Sequence, residues 1–382
     1  RDAVGYLHDT NIERSTRWPR TMLATNTHDT KRSADVRARI DALSEVPREW
    51  AEQLARWERA HRGLKVRVHD RLAPDAHMEY VIYQTLVGVW PVYRSDAGER
   101  DALCARVSEF ARKAAREAKG RTSWTDPDEE YEGALACFIR SLFDRAEFVR
   151  ELEAFVESIA ASGALNAIAR TVLHLTSPGF PDIYQGDELW NYSLVDPDNR
   201  REVSYEVRER LLGELEAMSP IGDISQVMNS LDLTVIGEDA LKLVIIQRIL
   251  LARAANAELF AHGDYRPLGA HGSHADHLFA FARRTLGAAA IVVVPRLTHA
   301  FAPHTLPVGE LWADTTLHLP GSLASTRWRC AISGRERTVA AHASTDPALA
   351  PPSTIPVPVS QILAAAPVAV LLTTPASVKK PK

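Results

Sequence analysis

Six consecutive positions, Thr27-His28-Asp29-Thr30-Lys31-Arg32, bring hydroxyl, imidazole, carboxylate, ammonium and guanidinium groups together. A carboxylate accepts two hydrogen bonds and an imidazole can donate one, so His28 beside Asp29 can grip vicinal hydroxyls. The same pair has a plainer reading, in which Asp29 caps the helix that follows and His28 is a satisfied loop residue. A second polar cluster, Tyr184-Gln185-Gly186-Asp187-Glu188, is extended by Val195-Asp196-Pro197-Asp198-Asn199-Arg200-Arg201. Loop aromatics beside carboxylates mark a binding surface, and polar groups combined with aromatic faces suit a sugar, whose ring has a polar rim and apolar faces.

Each cluster has a strand and a helix to hold it. Met22–Thr25 reads as a short buried strand, and Val36, Ile40 and Leu43 then fall at i, i+4 and i+7 of a helix. Strand, polar tip and helix make a βα unit, and in βα barrels the loop after each strand carries the active site. The second cluster repeats the pattern. A helix over Leu165–Leu175 runs into Ser177-Pro178-Gly179-Phe180-Pro181, a constrained turn ahead of a strand of three or four residues.

Between the two units the spacing predicts helices and no strand from about Ser33 to Ala161. Trp50, Leu54 and Trp57 mark one helix, and Glu79–Trp90 is apolar nearly all round and stopped by Pro91. Leu103, Val107, Phe110 and Ala114 line a helix with Gly120 expected at its C′ position. Tyr131–Phe143 and the run Phe148, Leu152, Phe155, Ile159 complete the set. Residues 1–20 read as polar and irregular, and Glu238–Ala255 as a strong final helix. From about Phe260 short apolar runs separated by turn residues (His277–Arg283, Ala288–Pro295, Ser325–Ile332, Val368–Thr373) indicate an all-β domain. Thr374–Lys382 reads as a disordered tail.

The 382 residues are 46% hydrophobic and 25% charged, an ordinary globular composition for a chain of two or three domains. A net charge of −4 with no basic, aromatic-interleaved tract argues against nucleic acid as partner. Three well-separated cysteines, Cys104, Cys137 and Cys330, make a disulfide framework or CxxC metal site improbable and fit a reducing cytoplasm. No membrane span is expected. His271, His274 and His277, with His262 nearby, could be imagined around a metal, but their segment of glycine, alanine and serine reads as a surface loop. Asp196, Asp198 and Arg200 begin like a calcium loop, but Arg201 and Val207 stand where glycine and glutamate belong. No phosphate-binding glycine loop or Gly-x-Ser-x-Gly elbow occurs. No metal and no cofactor is expected.

The two polar clusters carry a resemblance. Thr27-His28-Asp29-Thr30-Lys31-Arg32-Ser33 resembles the segment around the third catalytic carboxylate of the α-amylase superfamily (glycoside hydrolase family 13), where a His-Asp pair ends barrel strand seven. Gly179-Phe180-Pro181-Asp182-Ile183-Tyr184-Gln185-Gly186-Asp187-Glu188 is similar to the strand-eight motif of that superfamily, Gly-x-Pro-x-x-Tyr-x-Gly-x-Glu. Val36-Arg37-Ala38-Arg39 and Leu43-Ser44-Glu45 after the first motif, and Leu194 to Arg201 after the second, resemble the maltooligosyltrehalose synthase family. The helical insertion and trailing β domain fit that family too.

The resemblance implies an α/β fold: the C-terminal part of a (β/α)8 barrel (strands 7 and 8), a large all-helical insertion and a C-terminal all-β sandwich domain. The expected boundaries are 1–33 for the strand-seven region, 34–163 for the insertion, 164–258 for strand eight and the last helices, 259–374 for the β domain and 375–382 for the tail. The implied reaction is isomerisation of the reducing-end α-1,4 linkage of a maltooligosaccharide to α,α-1,1, by retaining double displacement with water excluded. Asp29 would be the transition-state stabiliser and His28 its neighbour at the same subsite. Lys31, Arg32, Tyr184, Gln185, Asp187 and Glu188 would bind the α-glucan. The nucleophile and the acid of the family lie upstream of the His-Asp motif, and 28 residues before Asp29 are too few for the intervening strand–helix units. A C-terminal portion is therefore expected, inactive alone, with the N-terminal barrel portion as its missing partner. Two other readings stay open: another α-glucan enzyme (a trehalose-releasing hydrolase or an amylase), and a non-catalytic glucan-binding module.

Overall fold

The computed structural model describes residues 2–92, 97–195, 198, 202–218, 240–323, 326–338 and 354–373. The expected tail from Thr374, and Asp196, Pro197, Asn199, Arg200 and Arg201 of the second cluster, lie outside the described residues.

The opening segment, expected irregular, is a helix, α1 (Ala3–Arg17), capped by the Asp2 carboxylate, which accepts from Val4 N at 3.0 Å. Its inward stripe hides polar side chains. His8 and Asn11 are buried and both reach the Tyr265 hydroxyl, at 2.8 and 3.2 Å, while His8 stacks on Phe279. β1 (Met22–Ala24) follows, and then α2 (Ala34–Asp41), with the Ser33 hydroxyl accepting from Val36 N at its start.

α3 (Pro47–His61) begins on a proline, whose absent N–H costs nothing in a first turn. Next comes a departure from the all-helical expectation: β2 (Val66–Val68) and β3 (Arg71–Ala73) form an antiparallel hairpin. Both turn residues, His69 and Asp70, have positive φ (48° and 61°), as the tightest hairpin turns require. Strands of three residues are too short to register as alternation. α4 (Ala76–Val89), α5 (Ala97–Ala118) and α6 (Glu129–Phe143) follow. The left-handed residue after α5 is Lys119 rather than the expected Gly120. Three glutamates, Glu129, Glu130 and Glu132, occupy the first turn of α6, where the helix dipole favours negative charge.

α7 (Ala146–Thr176) is one continuous helix of 31 residues where the periodicity suggested two. Its middle lies against α2. A Cβ on Gly163 would stand 2.9 Å from the Arg39 Cα, so only glycine allows that approach. Of the described residues, α7 alone is long and apolar enough to cross a membrane, and 67% of that window is buried within the fold, as in a core helix. α7 joins two hydrophobic cores. Its first half packs with α3–α6 around Trp57, Tyr83, Leu86 and Phe138. Its second half, from Ile168, enters the core of the β domain.

After α7, β4 (Phe180–Asp182) pairs in parallel with β1, Met22 opposite Phe180 and Ala24 opposite Asp182. Gly179, at φ 124°, sits where a Cβ would meet the Thr21 carbonyl at 2.7 Å. The two strands pair only with each other among the described strands. The expected burial of β1 does not hold: Met22 is 72% and Phe180 49% exposed, because neither strand has a second neighbour. α8 (Tyr205–Met218), α9 (Ala240–Ala255) and α10 (Ala257–His262) lead into the β domain.

That domain is antiparallel throughout. β5 (Asp264–Pro267), β7 (Leu278–Arg284), β8 (Ala289–Pro295), β10 (Arg327–Cys330), β11 (Glu336–Thr338) and β13 (Ala369–Thr373) make a six-stranded sheet in the order β11-β10-β13-β8-β7-β5. β6 (Ala270–His271), β9 (Thr316–Pro320) and β12 (Thr354–Pro358) make a second sheet in the order β12-β9-β6. Leu317 and Leu319 of the second sheet share a core with Phe281 and Val292 of the first. The four strand runs expected from the sequence are present as β7, β8, β10 and β13. Arg283 is buried and donates to the carbonyls of Thr176, Phe260, Gly263 and Asp264, riveting the ends of α7 and α10 to the larger sheet.

Candidate active site at the ends of two parallel strands

Parallel pairing puts the C-terminal tips of β1 and β4 on the same side, and the loops that follow meet. The Asn26 amide donates to the Asp187 carboxylate at 3.2 Å, and the Asn191 amide reaches the same oxygen at 2.8 Å. The Thr30 hydroxyl donates in turn to the Asn26 carbonyl oxygen. A third stretch closes the frame: Ser33 N donates to Ser193 O at 3.0 Å and Val195 N to Lys31 O at 2.9 Å, with Arg32 bridged to Leu194. Between these loops lies an open cavity of 180 Å³ lined by Asn26, Thr27, Ser33, Tyr184, Gln185, Trp190, Asn191, Ser193, Asp198 and Arg208, among others. Hydroxyl and amide groups set beside two aromatic rings can take hydroxyl hydrogen bonds on one side and an apolar ring face on the other.

Tyr184 and Gln185 line this cavity. His28 and Asp29 do not line it. Asp29 is exposed and turns toward α5: its carboxylate accepts from Lys31 Nζ at 2.7 Å, with Lys113 Nζ at 4.0 Å. The Lys31 hydrogen bond, more than any other influence, holds the Asp29 carboxyl below its ordinary range. Lys31 in turn bridges to Glu117 of α5 at 3.0 Å. Arg32 leaves the site. Its half-buried guanidinium donates to the Thr85 hydroxyl of α4 at 2.7 Å and lies over the Phe110 ring of α5.

Asp187 and Glu188 are likewise turned to protein partners. Asp187 is buried, and desolvation pushes its carboxyl above the usual carboxylate range, against the pull of Lys242. Glu188 accepts from Arg208 Nε at 2.9 Å and from Gly186 N at 3.1 Å, while Arg208 Nη2 donates to Gly186 O at 2.9 Å. The turn beyond β4 is thereby clamped by a residue of α8. Asp198 is buried under the cavity, held by Arg106 Nε at 2.7 Å and accepting from Leu194 N at 2.9 Å.

Beneath the loops runs a buried ion pair that motif reading did not reach. Asp35 of α2 accepts from Lys242 Nζ of α9 at 2.7 Å and from Asn191 N at 2.8 Å, and Lys242 also donates to Leu189 O at 3.1 Å. Both side chains are nearly inaccessible, at 2% and 4%. A lysine alone in the apolar run Ala240-Leu241-Lys242-Leu243-Val244-Ile245-Ile246 is the signal that could have found it. His174 of α7 gives its Nε2 hydrogen to Leu23 O at 2.8 Å, anchoring β1 from below. Among the described residues no group of three or more His, Cys, Asp or Glu side chains is placed to hold a metal ion. All three cysteines are free, Cys104 and Cys330 buried and Cys137 exposed.

Fold and cleft define a mixed helix–sheet protein whose polar site sits in the loops beyond two parallel strands. The curated homologues and structural neighbours of the chain are maltooligosyltrehalose synthases, and the likeness covers most of its length. Over 329 residues, 86% of the chain, it is 34% identical to the maltooligosyl trehalose synthase assigned in Mycobacterium tuberculosis (strains CDC 1551 / Oshkosh and ATCC 25618 / H37Rv), of which the match spans 36%. The solved maltooligosyltrehalose synthase of Arthrobacter ramosus is 32% identical with a TM-score of 0.73, covering 97% of this chain and 41% of that one. A hypothetical maltooligosyl trehalose synthase of Sulfolobus tokodaii, 22% identical with a TM-score of 0.64, shares the fold. No protein-family model matches. The chain thus spans little more than a third of the length of the curated relatives it matches.

Proposed function

We propose that the chain is the C-terminal portion of a maltooligosyltrehalose synthase, cytoplasmic and cofactor-free, that isomerises the reducing-end α-1,4 linkage of a maltooligosaccharide to α,α-1,1. In this reading β1 and β4 are strands seven and eight of a (β/α)8 barrel. Residues 34–163 are its insertion, residues 164–258 complete strand eight and the last helices, and residues 259–374 form a sandwich domain. One observation carries the reading: two parallel strands far apart in sequence close their polar tips over one cavity, through Asn26 and Asp187.

The chemistry is a retaining double displacement. A carboxylate nucleophile and a carboxylic acid, both supplied by the N-terminal barrel portion, form and break a glucosyl-enzyme ester. The released glucose turns over and attacks through its anomeric hydroxyl. Asp29 and His28 stand at the same tip but outside the cavity lining; in this reading they bond ring hydroxyls of the distorted sugar beyond its rim, and Lys31 sets the orientation of Asp29. Tyr184 and Gln185 contact the glucan. Arg32, Asp187 and Glu188 act as positioning residues, since their polar groups face protein. Exposed Met22 and Phe180, on strands that have no further neighbour among the described strands, are the seats for the neighbouring barrel strands.

Maltopentaose tests the proposal, incubated with this chain alone and with a protein extended upstream to include six further strand–helix units. The expected result is no turnover by the chain alone and, from the extended protein, a non-reducing product of unchanged mass. Free glucose, trehalose or shorter maltodextrins as main products would instead mean a hydrolase. Glucan binding without turnover by both proteins would mean a binding module.

A further inference from the structure

Two pairs of histidines meet in the β domain, and one of them spans two paired strands. β6 and β9 are antiparallel with His271 opposite Thr316 and Ala270 opposite Leu317, so His271 and His318 lie diagonally on one face of the sheet. His318 N donates to Gly269 O at 2.9 Å, which fixes that register. The two imidazole ring centres are 4.2 Å apart with planes inclined at 42°. His271 is exposed and His318 half-buried, so the pair is open to solvent. The other two histidines of the segment are otherwise engaged: His274 stacks on Phe301 at 4.8 Å and the His277 Nδ1 hydrogen goes to Leu297 O at 2.6 Å.

We propose that His271 and His318 form a two-imidazole site for a tetragonal divalent transition-metal ion, Cu(II) or Ni(II), clipping the edge strand β6 to β9. With metal–nitrogen bonds of about 2.0 Å, ring centres stand roughly 4.5 Å apart when two imidazoles meet an ion at a right angle, and roughly 5.2 Å at the tetrahedral angle of zinc. The observed 4.2 Å is nearer the right angle, the geometry of Cu(II) and Ni(II) with nitrogen ligands. No third imidazole, thiol or carboxylate among the described residues completes a cage, so water fills the remaining positions. Because β6 is two residues long and sits at the sheet edge, an ion bridging it to β9 adds its binding free energy to the folded state.

Cu(II) titration of the chain, followed by calorimetry and electron paramagnetic resonance, tests this. The expected result is one site with splitting from two nitrogens and a higher melting temperature in Cu(II). His271→Ala and His318→Ala should each weaken that site at least tenfold and abolish the melting shift. His274→Ala combined with His277→Ala should change neither. Circular dichroism of the metal-free variants confirms that they fold, and His271→Asn repeats the test with a smaller change of shape. Unchanged copper affinity and spectrum in both single variants would overturn the proposal, as would equal loss in the His274/His277 double variant.

Discussion

The Asn26 amide and the Asp187 carboxylate, 161 positions apart in the chain, meet at 3.2 Å and join the loops beyond β1 and β4. Asp187 also takes the Asn191 amide, so one buried carboxylate ties the loop beyond β1 to both ends of the loop beyond β4. A carboxylate with two amide donors and little solvent is a spacer that sets loop distance.

Asp187 predicts a pH dependence. Its folded-state pKa lies above the unfolded value because burial disfavours the charge. For a raised carboxyl, stability is fully present below the unfolded pKa and is lost as pH rises through the folded one. Asp187→Asn keeps an accepting oxygen for both amides and removes that loss. Urea midpoints measured from pH 3 to 7 should fall less with rising pH in the variant; parallel curves would assign the slope to other groups.

The Asp35–Lys242 pair predicts an asymmetric double-mutant cycle. Lys242→Met leaves a buried carboxylate without its close cation, with Arg170 3.7 Å away as partial cover. The expected cost is about 3–5 kcal/mol. Adding Asp35→Asn should restore part of it, since the amide still accepts from Asn191 N. A double variant less stable than Lys242→Met by the full cost of Asp35→Asn alone would mean that the two groups act independently.

Asp29 predicts a split between activity and stability. The side chain is exposed and its partner Lys31 partly so, so Asp29→Asn should leave the urea midpoint where it is. In the upstream-extended protein the same change should lower maltooligosaccharide turnover by roughly 10²–10³-fold. Lys31→Met removes the hydrogen bond that holds the Asp29 carboxyl below its ordinary range. The acid limb of the rate profile should then move to higher pH. A limb that stays in place would detach Lys31 from the chemistry.

His61 predicts acid sensitivity of the helical insertion. Its Nδ1 lies 2.8 Å from the Tyr83 hydroxyl, which itself donates to Glu79. Burial lowers the imidazole pKa to about 4. Between that value and the ordinary 6.5 the unfolded chain binds the extra proton, so stability falls as pH drops through this window. His61→Gln should flatten the dependence of the urea midpoint between pH 6.5 and 4; an unchanged slope would place the sensitivity elsewhere.

Much of this architecture was legible because apolar side chains mark it. Trp57 and Phe138 announce their helices, and the unbroken runs of β7 and β8 match strands covered on both faces. The two βα tips were legible through residue type and order. Two of the misses share a cause, polar residues facing inward, while β2 and β3 were missed because three residues are too few to show alternation. α1 turns His8 and Asn11 to the core, so its stripe looked like solvent. Lys242 hides in an apolar helix. Val207, Leu211 and Leu215 do repeat at a helical interval and could have revealed α8, and with it the Arg208 clamp on Gly186. The direction of the Asp29 side chain is set by Lys31, Lys113 and Glu117 together, and contacts between loop and distant helix leave no local pattern.

The unbroken course of α7 has a mechanical meaning. At 1.5 Å per residue, 31 residues make a strut of roughly 46 Å, rooted at one end among the insertion helices and ending at the Ser177–Gly179 turn that launches β4. Such a rod has no joint at which the two halves could swing apart. A displacement of the helices around its first half is therefore carried along it to the turn ahead of β4. The two cores it joins are coupled through a single piece of backbone.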